Sequence, residues 1–326
     1  MPYFPARLAR ARLCPTELPL QMPLLGEARE ALGVCPQLER ASTPLHVLVD
    51  GACHRHASPV VVPHACSAEL PPGSLVELMP GVRCSSPALL CVQMAPHLTA
   101  SELTLLLSEM LGTYAVSEGS DRGVEQRRAP LLTRTGLEAY LEKLGRFKGV
   151  AIVREALGGV PERAASPMEA KLFMRATRRF ASGGYRLERV ALNDPVRLEA
   201  LSGEVGQLRV RKPDLLLLAP EDASAAARFR GVAFDYYGDW HTKPDQVKRD
   251  TKRANEFLAY DFKDYVLWKE NYDDIDYMDG VMAKARRDIG LPERKVSFKR
   301  ARAEREARVA LWKELEGIDG IHWSGF

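Results

Sequence analysis

At 326 residues the chain is long enough for two domains, each with its own core, and with 46% hydrophobic and 27% charged residues it reads as globular and soluble. The net charge of +3 is too small to imply nucleic-acid affinity by itself, so any such affinity must come from a local basic patch. No run is long and apolar enough to span a bilayer, and the proline-broken start Met-Pro-Tyr-Phe-Pro lacks the apolar centre of a secretory signal; a cytoplasmic location is expected.

Residues 1 to about 44 are rich in Pro, Arg and Leu, with a helical stretch near 24–32 ended by Gly33. Short β-like runs follow at 45–49, 60–62 and 75–78, separated by Gly, Pro and Ser turns, which predicts a small sheet. Helices are expected over 88–94, behind Ser85-Ser86-Pro87, and to Leu111, opened by Thr99 or Ser101. Two more are expected near 137–144 and 150–157, the last ended by Gly158-Gly159. All six cysteines (Cys14, Cys35, Cys53, Cys66, Cys84, Cys91) lie in this first third of the chain. Cys53, His56, His64 and Cys66 can be drawn as a zinc site, but no close Cys-x-x-Cys pair supports it. Reduced cysteines and loop histidines are the simpler reading. Nothing in this half carries a phosphate-cradling glycine loop or a hydrolase triad, so residues 1–160 are expected to form an α+β recognition or regulatory domain.

The second half opens at Ser166-Pro167-Met168-Glu169, a helix start with a serine cap and a glutamate three residues on. That helix is expected to run through Phe180 to Gly183-Gly184, followed by a strand over 185–192 and a long connection. Two short apolar runs then each carry one aspartate: Lys-Pro-Asp214 followed by four leucines, and Gly-Val-Ala-Phe-Asp235-Tyr-Tyr. They read as an antiparallel pair of buried strands. A helix from Pro244 with the stripe Val247, Thr251, Ala254 and Leu258, a strand over 265–268 and a helix over 275–289 complete the order helix, three strands, helix, strand. Residues 292–326 read as a separate charged helical tail, solvated or touching a DNA backbone or partner.

A buried carboxylate needs a partner, and two at one sheet end can share a hard divalent cation, with waters and phosphate oxygens completing the shell. The order of elements and their acids resemble the PD-(D/E)xK restriction-endonuclease-like nucleases. In that superfamily a helix glutamate, an aspartate after proline and a D/E-x-K triplet surround a divalent metal. Pro213-Asp214 matches the second element, Asp235-Tyr236-Tyr237 stands at the triplet and Glu169 at the helix position. The stretch from Asp235 to His241, followed by Gln246-Val-Lys-Arg-Asp250, is similar to the branch near the very-short-patch-repair endonucleases. Upstream, Pro71-Pro72-Gly73-Ser74 and Gly112-Thr113-Tyr114 are similar to segments of abortive-infection antitoxin-like proteins.

The resemblance covers roughly 165–290 and implies a mixed α/β chain whose 161–291 region is an αβββαβ nuclease-like domain. It implies hydrolysis of DNA phosphodiesters with Mg²⁺ or Mn²⁺ in bacterial defence or DNA repair, or else a nuclease-fold, antitoxin-like DNA-binding regulator without catalysis. It makes Asp214, Asp235 and Glu169 the metal ligands. His241 is the candidate proton carrier, and Lys243, Lys248 and Arg253 the candidate nucleic-acid contacts.

Each residue has a structural alternative. Asp214 reads equally as a strand-edge turn residue, Glu169 as a capping residue worth about 1 kcal/mol, His241 as a backbone partner, and Asp250 with Arg253 as a surface ion pair. Tyr237 replaces the triplet lysine and cannot be a cation; Lys243, Lys248 or Lys252 could restore the charge. The reading requires Asp214 and Asp235 to meet. It fails if they face opposite ways or are taken up by arginines.

Overall fold

In the computed structural model the described residues are 12–13, 44–49, 59, 61–80, 82–117, 120, 123–126, 128–199, 208–223, 226–237 and 244–325, with the backbone alone described at 12, 13, 79 and 244–250. The chain is mixed α/β and divides into two compact units, Met1–Gly158 with Gly320–Phe326, and Gly159–Asp319. Among the described residues no helix is long and apolar enough to cross a membrane. The expected helix at 24–32 lies outside the described residues.

In the first unit, β1 (Arg12–Leu13) pairs antiparallel with β4 (Leu75–Met79), which pairs with β5 (Val82–Ser85), while β2 (Leu45–Val49) and β3 (Val61–Ala65) run parallel. The next helix, α1 (Pro87–Met94), starts where the Ser86 hydroxyl accepts a bond from the Leu89 N–H. It is followed by α2 (Ala100–Leu111), opened by a reciprocal box: Thr99 N–H donates to Glu102 at 2.7 Å and Glu102 N–H to the Thr99 hydroxyl at 3.2 Å. Because α2 is buried around most of its circumference, even its acids need partners; Glu109 accepts the Val116 N–H at 2.8 Å. A short antiparallel pair, β6 (Tyr114–Val116) and β7 (Val124–Gln126), and the helices α3 (Arg134–Leu144) and α4 (Val150–Leu157) complete this part of the unit. The chain returns after residue 319: Ser324 donates from its N–H and its hydroxyl to buried Glu102, at 2.7 and 2.6 Å.

The second unit begins with α5 (Pro167–Thr177), which stops earlier than its apolar spacing suggests. Arg178 leaves the helical region (ψ 153), and a single 3₁₀ turn at Phe180–Ser182 ends at Gly183, whose φ is +80. The expected strand over 185–192 shortens to β8 (Val190–Leu192), because Arg186 and Arg189 take positive φ and break the extended run.

The long connection contains a hairpin, β9 (Val196–Glu199) with β10 (Leu208–Arg211). Next come β11 (Leu215–Leu218), β12 (Gly231–Tyr237), the helix α6 (Pro244–Ala259) and β13 (Phe262–Trp268). The strands form one sheet in the order β13-β12-β11-β8; β11 is antiparallel to both neighbours, and β12 and β13 are parallel, with α6 as the crossover that a parallel pair requires. The run Leu215, Leu216 and Leu217 is buried throughout, as are Val232, Ala233 and Phe234 opposite it, which explains continuous apolar stretches in place of alternation.

Of the apolar stripe predicted for α6, Thr251 and Leu258 are exposed and Ala254 is half-buried, while Glu256 and Phe257 are buried; the Val247 side chain lies outside the described residues. Phe257 joins Val196, Leu198, Leu216, Ala233 and Phe262 in one apolar cluster, and Glu256 receives Arg209 (3.2 Å) and Arg211 (Nε at 2.8 Å) from the hairpin. Two guanidiniums on one carboxylate make burial of a glutamate tolerable, which pattern counting on aliphatic residues does not anticipate.

After α7 (Lys269–Asp273) and α8 (Ile275–Asp288), the long helix α9 (Phe298–Glu316) is not a solvated tail. It packs on the 3₁₀ turn and on α5, with Leu311 and Leu315 buried, and belongs to the second unit, whereas residues 320–326 belong to the first. A methyl group at Gly183 would lie 2.3 Å from the Ala307 carbonyl oxygen and 2.7 Å from Leu311 Cβ, at a φ that side chains rarely adopt. Gly183→Ala is therefore expected to cost about 2–4 kcal/mol, combining backbone strain with forced separation of α9. A urea midpoint unchanged from wild type would refute this close approach.

Candidate acidic site

The register that sets Leu215 opposite Phe234 puts the preceding Asp214 opposite Asp235 when extended by one residue. The two aspartates meet there. Asp214 N–H donates to Asp235 Oδ1 at 3.1 Å, and Tyr236 N–H donates to Asp214 Oδ2 at 2.7 Å, so each carboxylate holds a backbone amide of the other's strand. Pro213 cannot donate to the ladder, and its carbonyl accepts the Asn193 N–H at 3.1 Å, tying the end of β8 to this corner.

Glu169 reaches the same corner from α5. Its N–H donates to the Ser166 hydroxyl, its Oε1 accepts that hydroxyl at 3.0 Å, and its Oε2 accepts the Ala165 N–H at 2.8 Å and Asn193 Nδ2 at 2.5 Å. Both Glu169 oxygens are thus engaged, by the cap and by Asn193. Burial, opposed by these hydrogen bonds and reinforced by the Asp235 charge, raises the Glu169 carboxyl above its usual value. Asp214 is pushed well above the ordinary carboxylate range by burial first, then by Glu169 and Asp235; the Tyr236 N–H and Arg253 oppose the shift.

The missing piece from sequence is Arg253. Placed among the nucleic-acid contacts on sequence grounds, it instead turns inward from α6 to Asp235, at 2.7 Å from Oδ1 and 2.6 Å from Oδ2, with its guanidinium carbon 5.4 Å from the Phe257 ring centroid. Its spacing to Glu256 and Phe257, three and four residues on, was the available signal: these positions share a helix flank, and that flank is the buried one. Tyr237, at the lysine position, is buried and packs edge-on against Trp268 with ring centroids 5.3 Å apart.

His241 and Lys243 lie outside the described residues, and Lys248 lies on α6 where only the backbone is described. In the first unit, His46 Nδ1 lies 2.8 Å from His64 Nε2 with the rings stacked, and the buried Cys66 thiol donates to the Ala68 carbonyl at 3.6 Å; Cys53 and His56 lie outside the described residues. Burial, ahead of nearby positive charge, pushes His46 down to about 4, and burial lowers His64 as well. Among the described residues no group of three or more His, Cys, Asp or Glu side chains is placed to hold a metal ion. No family model, curated protein or solved structure matches the chain.

Proposed function

We propose that the second unit is a restriction-endonuclease-like module that hydrolyses DNA phosphodiester bonds, with Asp214, Asp235 and Glu169 as its acidic centre. The observation that carries this reading is the meeting of Asp214 and Asp235 through exchanged backbone amides at one end of two adjacent strands. The succession α5, β8, β11, β12, α6, β13, with the hairpin β9–β10 inserted and only the last pair parallel, supports it further.

The donor set is of the kind Mg²⁺ or Mn²⁺ takes, although as placed Glu169 spends both oxygens on Ser166, Ala165 and Asn193, and Asp235 both on Arg253. The set is all carboxylate oxygen, and burial together with like charge makes the ionised cluster costly, as the Asp214 shift reflects. Asp214 and Asp235 would hold the ion, leaving its remaining positions to water and phosphate oxygens, and Glu169 would bear on it from α5. When bound, such an ion lowers the pKa of a water and offsets charge on the attacked phosphate. The chain's own contribution is orientation: Tyr236 N–H fixes Asp214, Asp214 N–H fixes Asp235, and Arg253, displaced from Asp235 by the ion, would supply the positive charge that Tyr237 lacks. His241 is the proposed proton carrier.

One observation favours a second reading. Asp235 is taken up by an arginine, one of the two conditions under which the nuclease assignment fails: Arg253 sits on Asp235, and Tyr237 packs on Trp268, as expected of a DNA-binding, antitoxin-like regulator whose cutting centre is closed by a guanidinium. Incubating the full chain with plasmid DNA and Mn²⁺ beside an Asp214→Ala control separates the two. Nicking by wild type at least about a hundredfold above the control supports the nuclease. DNA retained by both proteins with no nicking supports the regulator.

A further inference from the structure

Arg175 lies on α5 and Tyr272 on α7, and both are buried, each 3% exposed. The arginine runs along the tyrosine: its Nη1 donates to the Tyr272 carbonyl at 2.5 Å, and its guanidinium carbon stands 4.3 Å from the centre of the ring. Two polar atoms are left over at this contact. Arg175 Nη2 and the Tyr272 hydroxyl have no hydrogen-bond partner, although both are shut off from solvent. A guanidinium only donates and a phenol readily does, so one acceptor beside the ring satisfies both.

The charge is unbalanced too. Among the described residues no ion pair includes Arg175. The acid that reaches this junction of helices is Asp279 on α8, and it is already engaged: it accepts the Tyr185 hydroxyl at 2.8 Å and the Arg308 guanidinium from α9 at 2.7 and 3.1 Å. Tyr185 in turn gives its N–H to the Arg175 carbonyl at 2.9 Å. Burial raises the Tyr272 phenol, and Arg175 is first among the influences that lower it, so the positive charge bears on the hydroxyl itself. A guanidinium held away from water is costly unless an anion offsets it.

We propose that Arg175 Nη2 and the Tyr272 hydroxyl hold a monatomic anion of the chloride class inside the second unit. A water molecule would bring an acceptor but no charge, and an oxyanion such as phosphate would need more donors than these two. The site goes beyond the nuclease reading and does not depend on it. Tyr272 meets Tyr236 edge-on, with ring centroids 5.6 Å apart, and Tyr236 and Asp235, as neighbours on β12, point to opposite faces of the sheet. The anion therefore lies behind the acidic corner, where it ties α5, the helix of Glu169, to α7.

The experiment uses the full chain. Crystals grown in sodium bromide and measured at the bromine edge should show an anomalous peak at hydrogen-bonding distance from both Arg175 Nη2 and the Tyr272 hydroxyl. In solution the thermal midpoint of the second unit should rise, and saturate, with chloride or bromide relative to gluconate at equal ionic strength. With chloride about thirtyfold above its dissociation constant the rise should be about 4–8 °C. Tyr272→Phe keeps the ring and removes one donor, so it should lose most of that halide-specific rise. Arg175→Met removes the charge and should lose all of it.

A water at that place in the bromide crystals, or Nη2 donating directly to the Tyr272 hydroxyl with no peak, overturns the proposal. A halide-specific rise kept in full by Tyr272→Phe overturns it too, since the ions then act elsewhere. A peak in the crystals without a rise in solution is an adventitious ion only, and equally overturns it. Should a variant fail to fold, the bromide peak and the wild-type midpoint decide between these outcomes.

Discussion

Replacing Arg253 with alanine is expected to destabilise the second unit by about 3–5 kcal/mol, the usual cost of stripping one partner from a buried ion pair. Asp235 is 2% exposed, and its carboxylate has Arg253 on both oxygens; without the guanidinium a buried anion remains, and the contact over Phe257 is lost as well. The second change Asp235→Asn should restore much of the loss, since it removes the stranded charge. Mg²⁺ should raise the unfolding midpoint of Arg253→Ala more than that of wild type, because the ion and the guanidinium compete for the same carboxylate. Urea titrations of the four combinations read this directly. A loss below about 1 kcal/mol would mean that the pair is solvated and that Arg253 closes nothing.

Asp214→Asn is expected to act in the opposite direction on stability. The native carboxyl binds its proton more tightly than the unfolded one, so folding is most favourable below the ordinary aspartate range and loses stability as pH rises toward and through the native value. An asparagine has no such loss. Near pH 8 the variant should be more stable by about 1–2 kcal/mol, a midpoint shift of about 2–8 °C for a unit of this size, and the difference should shrink as the buffer is acidified toward about pH 4. The same substitution should abolish nicking, so a gain in stability would accompany a loss of activity, as at sites where function maintains unfavourable charge. Thermal scans across that range decide it; a variant less stable than wild type near pH 8 would mean that Asp214 is held as an ordinary stabilising anion.

The parts of this architecture that were legible in sequence are those where local pattern and burial agree. Four consecutive leucines after Pro213-Asp214, and Gly231 to Phe234 before Asp235, read most simply as an antiparallel pair of buried strands, which they are, and Ser166 with Glu169 specified a helix start. What escaped depends on partners distant in sequence. Arg253 reads as a nucleic-acid contact or a surface ion pair because nothing near it in sequence shows that Asp235 meets it, and nothing near Glu256 shows that Arg209 and Arg211 come to it from another element. Arg186 and Arg189 adopt positive φ where glycine or asparagine would have signalled it, so a strand was expected through them. The tail reads as solvated on its charge density even though its apolar positions Val309, Leu311, Trp312 and Leu315 are visible near its end, and two of them, Leu311 and Leu315, are buried.

The return of residues 320–325 to the first unit has a consequence for how the polypeptide matures. Glu102, buried in α2, receives two of its hydrogen bonds from Ser324, and Trp323 is buried beside it in sequence. The first unit is therefore encoded in two pieces with the whole of the other unit between them. During synthesis on the ribosome, Gly159–Asp319 is complete in sequence before the first unit is, and Glu102 waits for Ser324 to emerge before these two bonds can form.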